Sequence, residues 1–149
     1  MRILGIDLGS KRIGLAISDT NEVLASPCGT LERTGSHERD HRNIVEVIAS
    51  HDAELVVIGM PISMDGTFKK AAHDVLAEVN ELKASLAVPV YLWDERLSTK
   101  TASSALREAG YRALKQRSKI DQAAATVILQ SFLDRRSQRR SQRSFGTDE

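Results

Sequence analysis

The chain has 149 residues, a length for one compact domain, and sets 21 Lys and Arg against 20 Asp and Glu for a net charge of +1. That balance excludes a histone-like polycation and an acidic tail protein, and 41% hydrophobic with 28% charged residues is an ordinary globular mixture. The lone Cys28 has no partner for an internal disulfide, and the apolar stretches are far shorter than the ~20 residues a membrane span needs. The opening Met1-Arg2-Ile3-Leu4-Gly5-Ile6-Asp7 is broken at once by glycine and acid, unlike a signal peptide. A soluble cytoplasmic protein is expected.

Residues 3–8 and 12–18 are apolar and rich in β-branched side chains, and Gly9-Ser10-Lys11 between them is turn chemistry, which predicts an antiparallel hairpin. A third strand is expected over Val23 to Leu31, with Pro27 marking a break or an edge. A short amphipathic helix over 38–50 follows, and then Leu55 to Ile58, a continuous apolar run typical of a strand buried on both faces. Residues 67–86 space Phe68, Ala71, Ala72, Val75, Leu76, Val79, Leu82 and Leu86 as one helical stripe, with Thr67 as the expected N-cap. Val88 to Leu92 is the next strand. A helix over 98–109 closed by Gly110, a basic loop over 112–118 and a last helix from near Lys119 complete the pattern, the last packing through Ile120, Ala123, Ala124, Val127, Ile128 and Phe132. The order β-β-β-α-β-α-β-α-α gives an α/β fold: a mixed five-stranded sheet with helices on both faces.

The even net charge hides an asymmetry. Residues 1–105 carry net −4 and residues 106–143 net +7. A basic region this dense suits a polyanion, although the stretch from Arg135 to Arg143, spaced by Ser and Gln, reads equally as a solvated end. The expected organisation is a domain over 1–134 and a basic, disordered tail over 135–149.

Three acids sit in unusual places. Asp7 lies inside an apolar strand, where a lone carboxylate is costly unless it has a partner. Asp94-Glu95-Arg96 follow a buried strand at its carboxyl end, where α/β sheets bind ligands, or else form a polar exit loop. Asp121 stands in Ser118-Lys119-Ile120-Asp121, a capping-box pattern that accounts for it locally. Taken together, three carboxylates from three elements would repel one another at one sheet end unless a divalent cation joined them. Two such ions can clamp the attacking and leaving oxygens of phosphodiester hydrolysis. Lys11, Arg12, Arg96 and Lys119 are placed to contact phosphates, or to be solvated charges. His37 and His41 have a spacing that a metal could use, but their charged neighbours point to a solvated face. Trp93 beside Glu95 is a base-stacking candidate or a core residue, and Cys28, without a charged neighbour, reads as inert.

Four segments carry a resemblance: Gly5-Ile6-Asp7-Leu8-Gly9-Ser10-Lys11-Arg12-Ile13-Gly14-Leu15-Ala16, Gly59-Met60-Pro61-Ile62-Ser63-Met64-Asp65-Gly66-Thr67, Asp94-Glu95-Arg96-Leu97-Ser98-Thr99, and Lys119-Ile120-Asp121-Gln122-Ala123-Ala124-Ala125. In order and spacing they resemble the YqgF-type pre-16S rRNA nucleases, also described as Holliday-junction-resolvase-like proteins. The resemblance implies a ribonuclease-H-like three-layer fold, and it places Asp7, Glu95 and Asp121 on the family's metal-binding, catalytic acids with Mg²⁺ or Mn²⁺ as cofactor. It implies precursor rRNA or branched DNA as partner and a monomer or weak homodimer. Two readings from other classes compete. The Asp7 motif also resembles the phosphate turn of actin-like ATPases, but those close two domains on a nucleotide. A non-catalytic nucleic-acid-binding module would use the basic stretch and need no metal.

Overall fold

The computed structural model describes residues 1–97 and 117–146. Its elements are β1 (Ile3–Leu8), β2 (Arg12–Ser18), β3 (Ala25–Glu32), α1 (His37–Ser50), β4 (Leu55–Met60), α2 (Lys70–Lys83), β5 (Val90–Asp94) and α3 (Arg117–Gly146). The expected helix over 98–109 and its Gly110 stop lie outside the described residues.

The five strands form one sheet in the order β3-β2-β1-β4-β5. β1 pairs antiparallel with β2 and parallel with β4, and β4 pairs parallel with β5. The expected hairpin is present, closed by a Gly9 amide that donates to the Asp7 carbonyl at 3.1 Å. β3 is an edge strand. Its register steps from Gly29 opposite Leu15 to Pro27 opposite Ala16, so Cys28 is the extra residue of a bulge. Pro27 lacks an amide proton and Gly29 takes a φ of +120°, which together suit an edge position. Burial raises the half-buried Cys28 thiol to about 11, so it stays protonated and unreactive.

Strand parity divides the core. Leu4, Ile6 and Leu8 of β1 pack with Ile13, Leu15, Ile58, and with Ile44 and Ile48 of α1 and Val75, Val79 and Leu82 of α2. Ile3 faces the other way, with Ala16, Val57 and Trp93, onto Ala125, Ile128, Leu129, Phe132 and Leu133 of α3. Helices on both faces make three layers.

Three expectations are corrected. Thr67 is not the N-cap of α2: the helix starts at Lys70 with Lys69 as a cap that makes no side-chain bond. Gly66 turns the chain at a φ of +84°, and the Thr67 hydroxyl donates to Asp65 Oδ1 at 2.6 Å, which takes it away from the helix. The inward stripe of α3 is 125/128/129/132/133 rather than one built on Ala123, Ala124 and Val127. A Cβ at Gly5 would stand 2.8 Å from Leu129 Cβ and 3.1 Å from the Ala125 carbonyl, so helix and strand meet at their smallest residues, and that contact sets the rotation. Finally, the stretch after 134 does not begin a separate tail, because α3 continues through it to Gly146.

Candidate nuclease site

The acids meet because of parity and strand direction. On β1, Asp7 is the next residue after Ile3 and Gly5 on the α3 face. On β4, Gly59 follows Val57 on that face, and the parallel register sets Gly5 beside Val57. On β5, Trp93 pairs with Gly59, and Glu95 follows two residues later, its amide donating to the Met60 carbonyl at 3.1 Å. Asp7 and Glu95 therefore emerge at the carboxyl ends of β1 and β5, the two strands that flank β4, on one side of the sheet. Both line a cleft of about 740 Å³.

Gly59 is what lets Glu95 in. A Cβ on Gly59 would lie 2.7 Å from Glu95 Oε1 and 2.5 Å from Ile128 Cδ1, so any side chain there would displace the carboxylate and the end of the Ile128 side chain. Burial, and then the negative charges of Asp7 and Asp94, raise the Glu95 carboxyl from 4.5 to about 7. Two oxygen-donor side chains that resist being charged together fit a hard divalent cation, whose charge would remove both penalties.

The third acid belongs to α3. The far end of α3 reaches Glu22 in the β2–β3 turn through Arg136 and Arg140, while Ala125 and Leu129 cross Gly5. The helix therefore runs antiparallel to β1, and its first turns stand at the Asp7 end. Residue 121 comes one helical turn before Ala125, about 6 Å along the axis; the side chains of Asp121 and Lys119 lie outside the described residues.

The expected phosphate contacts differ among themselves. Lys11 is exposed in the turn beside Asp7. Arg12 Nε is 2.7 Å from Glu32 Oε1. Arg96 grips Asp94 through Nε and Nη2, the closest pair at 2.6 Å, and holds that carboxyl below its usual range. Trp93 is 7% exposed and packs edge-on against Phe132, so it serves the core and offers no face to a base.

The other end of the cleft holds a network the sequence reading missed. Arg33 donates through Nη1 and Nη2 to both oxygens of Glu78, at 2.6 and 2.8 Å, and through Nε to the Gly9 carbonyl at 3.0 Å. Nη1 also reaches Asp40 at 3.4 Å, and the Thr34 amide and hydroxyl donate to Asp40 Oδ1. His41 Nε2 lies 2.9 Å from Glu78 Oε2. Burial alone would raise Glu78 and Asp40, but Arg33 and His41 on the first, and Thr34 and Arg33 on the second, hold both carboxyls below their ordinary values. The solvated face expected for His37 and His41 is half wrong, because His41 is buried. The signal was available, since His41, Ile44 and Ile48 share one helical stripe. Glu78 likewise interrupts the stripe of Val75, Val79 and Leu82. The ligand atoms of His37, His41 and Glu78 lie within 4.8 Å of one another, a spacing a metal could use. Arg33 already supplies the positive charge there, and through Gly9 it braces the turn that follows Asp7.

With this geometry in view, comparison with known proteins is decisive. The family model described as "RuvX: Holliday junction resolvase" matches residues 1–135. The chain belongs to that family. A "Putative pre-16S rRNA nuclease" of Mycobacterium sp. (strain KMS) is 45% identical over 136 residues, covering 91% of this chain and 80% of that one. Another of the same name, from Desulforudis audaxviator, is 40% identical and covers 95% of this chain and 99% of its own. Among solved structures, T. thermophilus RuvC in complex with Holliday junction substrate superposes with a TM-score of 0.60 at 19% identity, over 88% of this chain and 91% of that chain. The yeast mitochondrial Holliday junction resolvase Ydc2 gives 0.61 at 10% identity, over 98% and 83%. These likenesses establish the resolvase-like α/β fold expected from the sequence. No helix among the described residues is long and apolar enough to cross a membrane.

Proposed function

We propose that this RuvX-family chain is a metal-dependent endonuclease that hydrolyses phosphodiester bonds of precursor 16S rRNA at its 5′ end, in the cytoplasm and as a monomer or weak homodimer. The observation that carries the reading is the convergence of Asp7 and Glu95 from the ends of β1 and β5 across β4, with Glu95 seated over Gly59 and raised to about 7. The names of the curated relatives support the substrate.

Asp7, Glu95 and Asp121 would hold Mg²⁺ or Mn²⁺. When bound, the cation supplies a more acidic water and stabilises charge on the leaving oxygen. The chain's own parts do the rest. Asp7 is fixed in a strand paired on both edges. Glu95 binds a cation only by giving up the proton that its surroundings favour near neutral pH, so loading releases a proton from its carboxyl. Lys11 needs no rearrangement to meet a phosphate, whereas Arg12 and Arg96 must exchange Glu32 and Asp94 for one. Lys119, at the start of α3, is the fourth phosphate contact in this reading.

The test sets precursor rRNA beside a four-way DNA junction under Mg²⁺ and Mn²⁺, with Asp7→Asn as control. Metal-dependent cutting of the rRNA, lost at least a hundredfold in Asp7→Asn while the fold persists, is expected. Preferential cutting of the junction would shift the substrate to branched DNA, as the family's description suggests. Binding indifferent to chelation, with no cutting under either metal, would make the chain a non-catalytic nucleic-acid-binding module.

A further inference from the structure

The last turns of α3 carry more charge than the fold and the acid site use. From residue 135 to Gly146 the helix holds five arginines and no acid, in the repeat Arg-Arg-Ser-Gln-Arg-Arg-Ser-Gln-Arg. A four-residue period on a helix gives two rows, Arg136 with Arg140, and Arg135 with Arg139 and Arg143, about 100° apart around the axis. The first row is anchored. Arg140 Nη2 donates to Glu22 Oε2 at 2.8 Å, and Arg136 Nε sits 3.1 Å from Glu22 Oε1, close as an ion pair without the alignment of a hydrogen bond. Glu22 turns the chain at a φ of 60°, and its carboxylate is only 9% exposed. One buried acid thus fixes the rotation of the helix end. In the second row, Arg135 and Arg139 are exposed. Along the chain only Ser and Gln stand between successive arginine pairs, and they fall on the opposite side of the helix.

We propose that the exposed Arg135 and Arg139, on the row that the helix backbone continues to residue 143, form a second substrate-gripping site that takes the phosphates of a nucleic-acid arm remote from the cut. The proposal rests on the nucleic-acid substrate of the preceding reading, but not on cleavage. Successive positions of the row are about 6 Å apart along the axis, so Arg135 and Arg139 can meet different phosphates. The row and the acids share the α3 face of the sheet and stand at opposite ends of the helix. From residue 121 to residue 139 the axis advances about 27 Å. That distance corresponds to roughly eight base pairs of B-form DNA at 3.4 Å each, or about ten of the more compressed A-form RNA helix. Arms longer than this engage both ends, and shorter ones engage the acid end alone.

The experiment is anisotropy of labelled hairpin RNAs in chelator, so that no strand is cut, with stems of about 5 and about 20 base pairs. The intact chain is compared with the triple variant Arg135→Gln, Arg139→Gln, Arg143→Gln. On the long stem the variant is expected to bind at least tenfold more weakly at 0.1 M salt, and its slope of log K against log salt is expected to fall by about 2 to 3. On the short stem both proteins should bind alike. Unchanged affinity and slope on the long stem would overturn the proposal. So would an equal loss on both stems, which would mean general attraction without a remote grip, or a loss confined to anionic phosphatidylserine vesicles. Arg136→Gln with Arg140→Gln guards against a simple folding effect: it frees the helix end from Glu22, keeps the outer row, and is expected to keep more of the long-stem affinity than the triple variant.

Discussion

At one end of the cleft, Glu95 stands against Asp7 and Asp94 and is pushed towards the neutral acid; at the other, Glu78 and Asp40 are as buried or more so and yet held charged. The difference is Arg33. Its guanidinium meets Glu78 through two nitrogens and touches Asp40, whereas at Glu95 burial and the negative charges of Asp7 and Asp94 drive the carboxyl upward. The satisfied end is a fastening between β3, α1, α2 and the β1–β2 turn. The crowded end stores unfavourable electrostatics that a bound cation would relieve. Removing the cation from the first should therefore unfold the protein, and removing a charge from the second should stabilise it.

The largest expected effect is at Arg33. Arg33→Ala leaves Glu78 and Asp40, 6% and 2% exposed in their side chains, without their partner. Breaking a buried ion pair from one side costs about 3–5 kcal/mol, and urea unfolding should show a loss of that order. Arg33→Lys keeps the charge but not the two-pronged grip or the bond to Gly9, and should fall between the two. Wild-type stability with Arg33→Ala would mean that the network is ornamental.

Gly59→Ala comes next and attacks the other end. The added Cβ would contact the Glu95 carboxylate and the Ile128 Cδ1 methyl, and both side-chain ends would have to move aside. Overpacking of this kind costs about 1–3 kcal/mol. Cleavage should suffer more than stability, because the displaced group is Glu95. A variant that melts lower yet cuts at the wild-type rate would separate the glycine from the site.

The two ends also differ in how far the sequence disclosed them. That Asp7 and Glu95 share a face is legible locally: each follows an apolar strand whose parity is fixed by its neighbours. The Arg33 network is not, because it joins residues 33, 40, 41 and 78, and only the packing of α1 beside α2 brings them together. Thr67 shows a local competition that sequence alone weighed wrongly, since the Asp65–Gly66 turn claims the hydroxyl before the helix can. The rotation of α3 was missed for a tertiary reason: Gly5, on a different element, decides which small residue faces inward. The continuation of α3 beyond residue 134 likewise depends on Glu22, more than a hundred residues away in the chain.

The smallest and most diagnostic effect is at Glu95. Its carboxyl rises from 4.5 to about 7 on folding, so between those values the folded chain binds more protons than the unfolded one and stability falls as pH rises. Glu78 and Asp40 are depressed, so their contribution is complete above their ordinary values of 4.5 and 3.8 and is lost as pH falls through the lowered ones. The acid limb of the stability curve therefore belongs to the Arg33 end, and the decline towards neutrality to the Glu95 end. Glu95→Gln should abolish that decline. In chelator above pH 7 it should raise stability by about 1 kcal/mol, once the partial exposure of Glu95 is discounted. It should also remove the extra stability that Mg²⁺ gives the wild type, since that gain comes from neutralising the same charge. Thermal melts of both proteins across pH 5–8, with and without Mg²⁺, read all three effects. A Glu95→Gln protein less stable than wild type in chelator at pH 8 would show that Glu95 is held by favourable bonds and not crowded by its neighbours, and the contrast between the two ends would dissolve.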